Sequence, residues 1–104
     1  MERVCFSFEI YPGKEAEYKK RHDEIWPELV KAIKDAGQSN YSLFRRGTTI
    51  IGYVECEPDA ATAFAKVRDT DANERWAEWF QDVIVSLTDE NGELVRYDEV
   101  WHLD

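Results

Sequence analysis

Cysteine, methionine, histidine and proline are all scarce: two, one, two and three among 104 residues. Each scarcity removes a class of function. Cys5 and Cys56 stand alone in strand-like runs without CxxC or CxxH spacing, which sets aside a disulfide scaffold, a redox pair and a zinc finger. They read as two buried thiols. A metal centre would need His22, His102 and carboxylates to converge; Asp69 and Asp71, imaginable as ligands, are better explained as helix caps. Basic charge is short as well, with 13 Lys and Arg against 22 Asp and Glu and a formal charge of -9. That balance excludes a nucleic-acid partner, which depends on basic patches. It also disfavours anionic ligands at long range, leaving neutral ones. No apolar run approaches the roughly 20 residues of a membrane span. Met1-Glu2-Arg3-Val4 leads straight into a strand-like pattern, so no signal peptide is expected and the default location is the cytoplasm. Neither a GxGxxG nor a P-loop occurs, and no nucleophile elbow surrounds Ser7, Ser39, Ser42 or Ser86.

What the chain has in plenty is aromatic rings: four Trp, five Tyr and five Phe, within a 43% apolar composition. That is ample for one core, and at this length residues 1–104 are expected to form a single domain. Val4, Phe6, Phe8 and Ile10 alternate with Cys5, Ser7 and Glu9, as in a half-buried strand. Tyr11 to Lys14 form a turn. Helical spacing then runs from Glu15 to Ala36, with Gly37 placed as its C-terminal cap. Pro27 removes a donor and clashes with the carbonyl of Asp23, so a kink or break is expected between Asp23 and Trp26, or Pro27 opens a second segment. Asn40 to Phe44 and Thr49 to Cys56 read as an antiparallel hairpin around Arg45–Thr48. Gly52 within the second strand marks a bulge or a close approach. Asp59 is the N-cap of a helix over Ala60–Val67. Asp69-Thr70-Asp71 break it and cap another from Ala72 to about Ser86. After a polar loop, Leu94 to Leu103 form a last strand. The order is βαββαβ, an α+β ferredoxin-like fold: an antiparallel sheet with helices on one face. Its open face, lined by alternate strand residues, predicts a homodimer, giving a dimeric α/β barrel.

One stretch, Tyr18 to Leu29, concentrates the candidate chemistry. Tyr18, His22 and Trp26 are spaced i, i+4, i+8 and share a face on an unbroken helix. An imidazole among rings suits acid–base work on a small ligand with one apolar side, or a satisfied core histidine. His102, near the end of the chain, reads as a surface or edge residue. Tyr phenols and a histidine around Trp faces are consistent with a neutral sugar pocket, and equally with a core built on rings.

The run Tyr18-x-x-Arg21-His22-x-x-Ile25-Trp26-Pro27-Glu28-Leu29 resembles the L-rhamnose mutarotases. Gly37-x-x-Asn40-Tyr41-Ser42, Thr70-Asp71, Arg75-Trp76 and Glu99-Val100-Trp101 extend the likeness over nearly the whole chain. The resemblance implies a homodimeric, cytoplasmic ferredoxin-like enzyme, without cofactor or metal, that interconverts the α and β anomers of L-rhamnose. It places the acid–base histidine on His22 and substrate contacts on Tyr18, Tyr41 and Trp76. Some members carry a second tryptophan directly after Trp76, where this chain has Ala77, a departure that would widen the pocket. Trp79, one turn on, is a candidate to compensate. Ring opening and closure at a hemiacetal needs one proton taken from the anomeric hydroxyl and one given to the ring oxygen. A single imidazole with a phenol, a carboxylate or water as partner can supply both. The rival readings are another small enzyme on the same scaffold, such as a monooxygenase or an isomerase of aromatic or polyketide substrates, and a non-catalytic binding domain.

Overall fold

The computed structural model describes residues 1–104. Its elements are β1 (Glu2–Ile10), α1 (Glu15–Asp23), α2 (Pro27–Asp35), β2 (Gln38–Arg46), β3 (Thr49–Cys56), α3 (Ala60–Arg68), α4 (Asp71–Trp79), a single 3-10 turn (Phe80–Asp82), β4 (Ile84–Ser86) and β5 (Val95–Tyr97). The sheet order is β2-β3-β1-β4, with β5 also on β1, and every pair is antiparallel. This is the ferredoxin-like arrangement expected from the element order. β4 occupies the edge of β1 at Glu9 and Ile10, and β5 continues along the same edge at Cys5 to Ser7.

The alternation in the strands decides which face is covered. Val4, Phe6, Phe8 and Ile10 of β1 and Ile50, Val54 and Cys56 of β3 are buried on one face, beneath Tyr18, Ala60, Ala63, Phe80 and Val83. Each fully buried aliphatic or aromatic chain contributes about 1.5–3 kcal/mol to holding the layers together. Gly52 sits in the same row because there is no room for more: a Cβ there would lie 2.2 Å from the Phe6 ring. Of the two thiols expected inside, Cys56 is buried, whereas Cys5 is only half-buried, since it points to the other face of β1.

The first helix divides as the proline requires. α1 ends at Asp23, Trp26 is extended (φ -66, ψ 133), and Pro27 begins α2. A residue before proline is driven out of the helical region, and proline itself suits the first turn. Gly37 follows the C-cap Ala36 with φ +98. A side chain there would be strained and would strike the backbone oxygen of Glu57. Asp59 caps α3 by accepting from Thr62 N (2.8 Å), while Thr70, between the two aspartates, caps α4 by accepting from Asn73 N (3.2 Å).

Three boundaries differ from expectation. β2 begins at Gln38 rather than Asn40 and carries a bulge: Ser39 pairs with Glu55 and Ser42 with Tyr53, one residue too many on β2. Asn40 takes up the extra residue with φ +48, a conformation asparagine tolerates. The last helix stops at Trp79 instead of running to Ser86, because Ile84 to Ser86 leave it to pair with β1. The final strand is three residues, not ten. Beyond Tyr97 the chain stays alongside β1, with Glu99 reaching Arg3 at 3.7 Å, but Val100 and Trp101 have no layer of this chain against them.

Candidate active site

Between the helices and the sheet lies a cavity of about 870 Å³. Tyr18, His22, Tyr41 and Trp76, the four residues singled out in the sequence, all line it. α1 supplies the first two, one turn apart. Tyr18 is buried against Phe8 and Phe80, and its ring lies 4.3 Å from that of His22, tilted by 34°. Trp76 of α4 presents its ring edge-on to His22 at 5.4 Å. Tyr41 comes from β2, edge-on to Phe6.

The bulge explains how Tyr41 arrives there. Along a regular strand Gln38 and Tyr41 would face opposite sides. The extra residue at Asn40 reverses the alternation, so Gln38 at the start of β2 and Tyr41 and Leu43 beyond the bulge all line the cavity.

His22 has a defined hydrogen-bonding state. Its Nδ1 lies 2.9 Å from the backbone carbonyl of Tyr18. A carbonyl only accepts, so Nδ1 carries the proton and Nε2 holds a lone pair. No protein group occupies Nε2, and no buried side-chain nitrogen or oxygen lacks a partner, so Nε2 is reachable from the cavity. Burial lowers the imidazole pKa, opposed by the Tyr18 carbonyl and by the charge of Asp23. The resting form is therefore the neutral base. The two phenols move the other way. Burial raises Tyr18, and the nearby Tyr41 phenol adds to it. Tyr41 is 41% exposed as a residue, yet burial of its phenol end pushes the pKa up to about 12. Both hydroxyls thus keep their protons at neutral pH. No Asp or Glu lines the cavity.

The remaining candidates fall elsewhere. The break before Pro27 takes Trp26 off the face it would share with His22; it stacks on Trp79 (5.4 Å, 12°) and meets Trp76 edge-on, outside the cavity. Trp79 does not compensate for Ala77, because Ala77 lines the cavity and Trp79 does not. His102 is exposed beside Asp104. Asp71 pairs with Arg75 in the first turn of α4.

Two residues shape the site in roles that the sequence reading did not assign. Arg21, 7% exposed, donates to Glu17 (2.7 Å), to the backbone carbonyl of Trp79 (2.7 Å) and to both oxygens of Asp82 (3.1 and 3.2 Å). Its guanidinium lies 4.5 Å from the Trp79 ring. Burial alone would lower its pKa, but Asp82 and Glu17 outweigh that and hold it above its usual value. Arg21 thereby fastens the His22 turn of α1 to the end of α4, which carries Trp76. Arg21 was visible in the sequence as a member of the Arg21-His22 run, and the Glu17–Arg21 spacing was the signal of this pairing. Gln38 is the other, 4% exposed. It sits outside the expected strand, so its inward direction was not legible.

A ferredoxin-like domain with one neutral imidazole and two protonated phenols around a ring-walled cavity has the groups that acid–base chemistry on a small ligand, or its binding alone, would need. Comparison narrows the choice. The family model for L-rhamnose mutarotase matches residues 3–103. An L-rhamnose mutarotase from Listeria monocytogenes is 37% identical over 105 residues, covering 99% of each chain. One from Oceanobacillus iheyensis is 35% identical over 106 residues, covering 100% of each. The crystal structure of an L-rhamnose mutarotase from Formosa agariphila superposes with a TM-score of 0.79 at 25% identity, covering both chains fully. With its fold and length matched in this way, the chain belongs to the L-rhamnose mutarotase family. Tetracenomycin F2 cyclase from Streptomyces glaucescens shares the fold alone, with a TM-score of 0.62 at 17% identity, covering 100% of this chain and 98% of that one.

Proposed function

We propose that this protein is an aldose 1-epimerase-type isomerase that interconverts the α and β anomers of L-rhamnose or a close 6-deoxy relative, with His22 as its acid–base group. The observation that carries this reading is the state of His22: Nδ1 committed to the Tyr18 carbonyl, Nε2 free at the cavity wall. In the ring-opening step Nε2 takes the proton of the anomeric hydroxyl. The C1–O5 bond breaks, and Tyr18 or Tyr41 gives its phenolic proton to O5. A raised phenol pKa suits this role, since the departing sugar alkoxide is more basic than a phenolate. Rotation about C1–C2 turns the other face of the aldehyde to O5. Closure reverses both transfers: O5 returns its proton to the phenolate, and the imidazolium returns its own to the carbonyl oxygen. With no carboxylate in the lining, a phenol or water is the partner of His22. Trp76 offers an apolar edge to the sugar, and the deoxy methyl group suits a wall in which 17 of 26 lining residues are hydrophobic.

The substrate is a small neutral sugar, in keeping with the formal charge of -9. Residues 1–104 act as one domain in the cytoplasm. No helix is long and apolar enough to cross a membrane. The working unit is a homodimer: two copies cover the open sheet face, where Phe44 is 61% and Ile51 42% exposed. The test is saturation-transfer NMR between L-rhamnose anomers. The protein is expected to accelerate exchange, and His22→Ala to lose at least about 100-fold of that acceleration, the scale of general acid–base catalysis. Equal rates for variant and wild type would refute the role of His22.

A further inference from the structure

The cavity is longer than one sugar, and its far end is built. Its length follows from the strand register. Tyr18 packs on Phe8, which pairs with Ile50 of β3. Gln38 pairs with Cys56, six residues further along the same strand. At about 3.3 Å per residue the lining extends roughly 20 Å along the sheet. A pyranose held at His22 covers well under half of that. The rest is lined by Val30 and Ile33 of α2 and by Phe64 and Val67 of α3. These are mainly aliphatic walls, unlike the aromatic ones around His22.

Gln38 stands in this arm. Its amide nitrogen faces the carbonyl of Ala63 at 3.4 Å, which fixes the orientation of the amide, since only the NH₂ can donate there. The Oε1 atom then has no protein partner. Because no buried side-chain oxygen is left unpaired, it is open to the cavity. A side chain that is 96% buried (4% exposed), with an accessible acceptor that no protein group fills, on a residue lining the cavity, takes a donor from a ligand or a water to complete it.

We propose that the cavity holds a second subsite at Gln38, taking an apolar substituent with a hydrogen-bond donor on a reducing sugar. The anomeric carbon must stay free at His22, so the substituent leaves from the opposite side of the ring, at O4. The ligands that would use it are 4-O-aryl or 4-O-alkyl derivatives of a 6-deoxy sugar, bound in addition to the bare sugar. The proposal rests on the His22 reading for the orientation of the ring, and the two are separated by measuring binding and exchange independently.

The probes are L-rhamnose, 4-O-benzyl-L-rhamnose and 4-O-(4-hydroxybenzyl)-L-rhamnose, titrated calorimetrically. The benzyl sugar is expected to bind about tenfold tighter than L-rhamnose, as burial of one ring face predicts. The hydroxybenzyl sugar should gain severalfold more, and Gln38→Met should remove that extra gain. Val67→Trp, narrowing the arm, should cancel the advantage of both benzyl sugars over L-rhamnose; Ile33→Phe serves the same purpose should Val67→Trp not fold. Equal binding of L-rhamnose and the benzyl sugar overturns the subsite, as does a loss in Val67→Trp that falls equally on all three. Tight, Val67-dependent binding of the benzyl sugar without any accelerated exchange upholds the subsite and refutes the mutarotase reading instead.

Discussion

At the scale of single residues, the candidate site is built on one imidazole and the carbonyl one turn before it. The bond from Nδ1 to the Tyr18 backbone sets the tautomer, and burial sets the protonation state. Their combined effect on pH dependence can be given a sign. Burial holds the imidazole pKa below its ordinary value of 6.5, so the base form predominates at neutral pH and is lost as pH falls through that lowered value. The kcat/KM for anomer exchange is therefore expected to be flat near neutrality and to decline on an acid limb with its midpoint below 6.5. A midpoint above 6.5 would contradict the buried neutral base. Stability follows the same direction. Below 6.5 the unfolded chain binds a proton at His22 that the folded chain resists, so this contribution to stability is present above that pH and lost on acidification. A second variant separates hydroxyl from backbone. Tyr18→Phe keeps the carbonyl that holds His22, so its exchange rate should fall by about 100-fold through loss of the proton donor alone, without moving the acid limb. An unchanged rate in Tyr18→Phe would overturn Tyr18 as the donor and assign that transfer to Tyr41.

At the scale of elements, the site depends on four interruptions of regular structure. Pro27 ends α1 just after His22, removing Trp26 from the cavity face. The bulge at Asn40 turns Tyr41 inward. The end of α4 at Trp79 exposes a carbonyl for Arg21, tying α4 to α1. Gly52 lets the Phe6 ring lie flat across β3. The last is testable on stability. Gly52→Ala pushes a methyl group into a buried ring and is expected to cost about 1–3 kcal/mol, read as a lower urea midpoint at unchanged slope. Since Phe6 and Tyr41 are in edge contact, a rise in KM for L-rhamnose should accompany it. An unchanged midpoint would mean that Phe6 has room to move. Of these interruptions, the proline and the glycine were legible in the sequence, because each residue has a steric property of its own. The bulge was not: Asn-Tyr-Ser has no local feature that demands an extra residue, and only the pairing with β3 creates one. The early end of α4 was hidden for a similar reason. Val83 to Ser86 fit a helix by spacing, and it is the vacant edge of β1 that draws them into the sheet.

For the molecule as a whole, the covered and uncovered faces of the sheet divide the labour. The covered face holds the core and the cavity. The other carries Phe44, Ile51 and Tyr97, and the chain end carries Trp101, all exposed. Light scattering is expected to give the mass of two chains at micromolar concentration. Phe44→Glu and Ile51→Glu, facing each other across β2 and β3, should shift the protein toward one chain. A wild-type mass of one chain across that range would remove the dimer from the reading.

The sequence by itself determined the ferredoxin-like order of elements, the apolar row of β1, the break at Pro27, and a short set of chemically able residues. These follow from near-neighbour rules: alternation in strands, i,i+4 spacing in helices, and the steric limits of proline and glycine. Only the tertiary structure decided that Tyr18, His22, Tyr41 and Trp76 share one cavity while Trp26 and Trp79 stack on each other outside it. The same holds for Arg21 clamping two helices 58 residues apart in the chain, and for Gln38 opening an arm at the far end. Those facts depend on strand register and helix crossing, which bring together residues distant in sequence, and no local pattern encodes the distance between them.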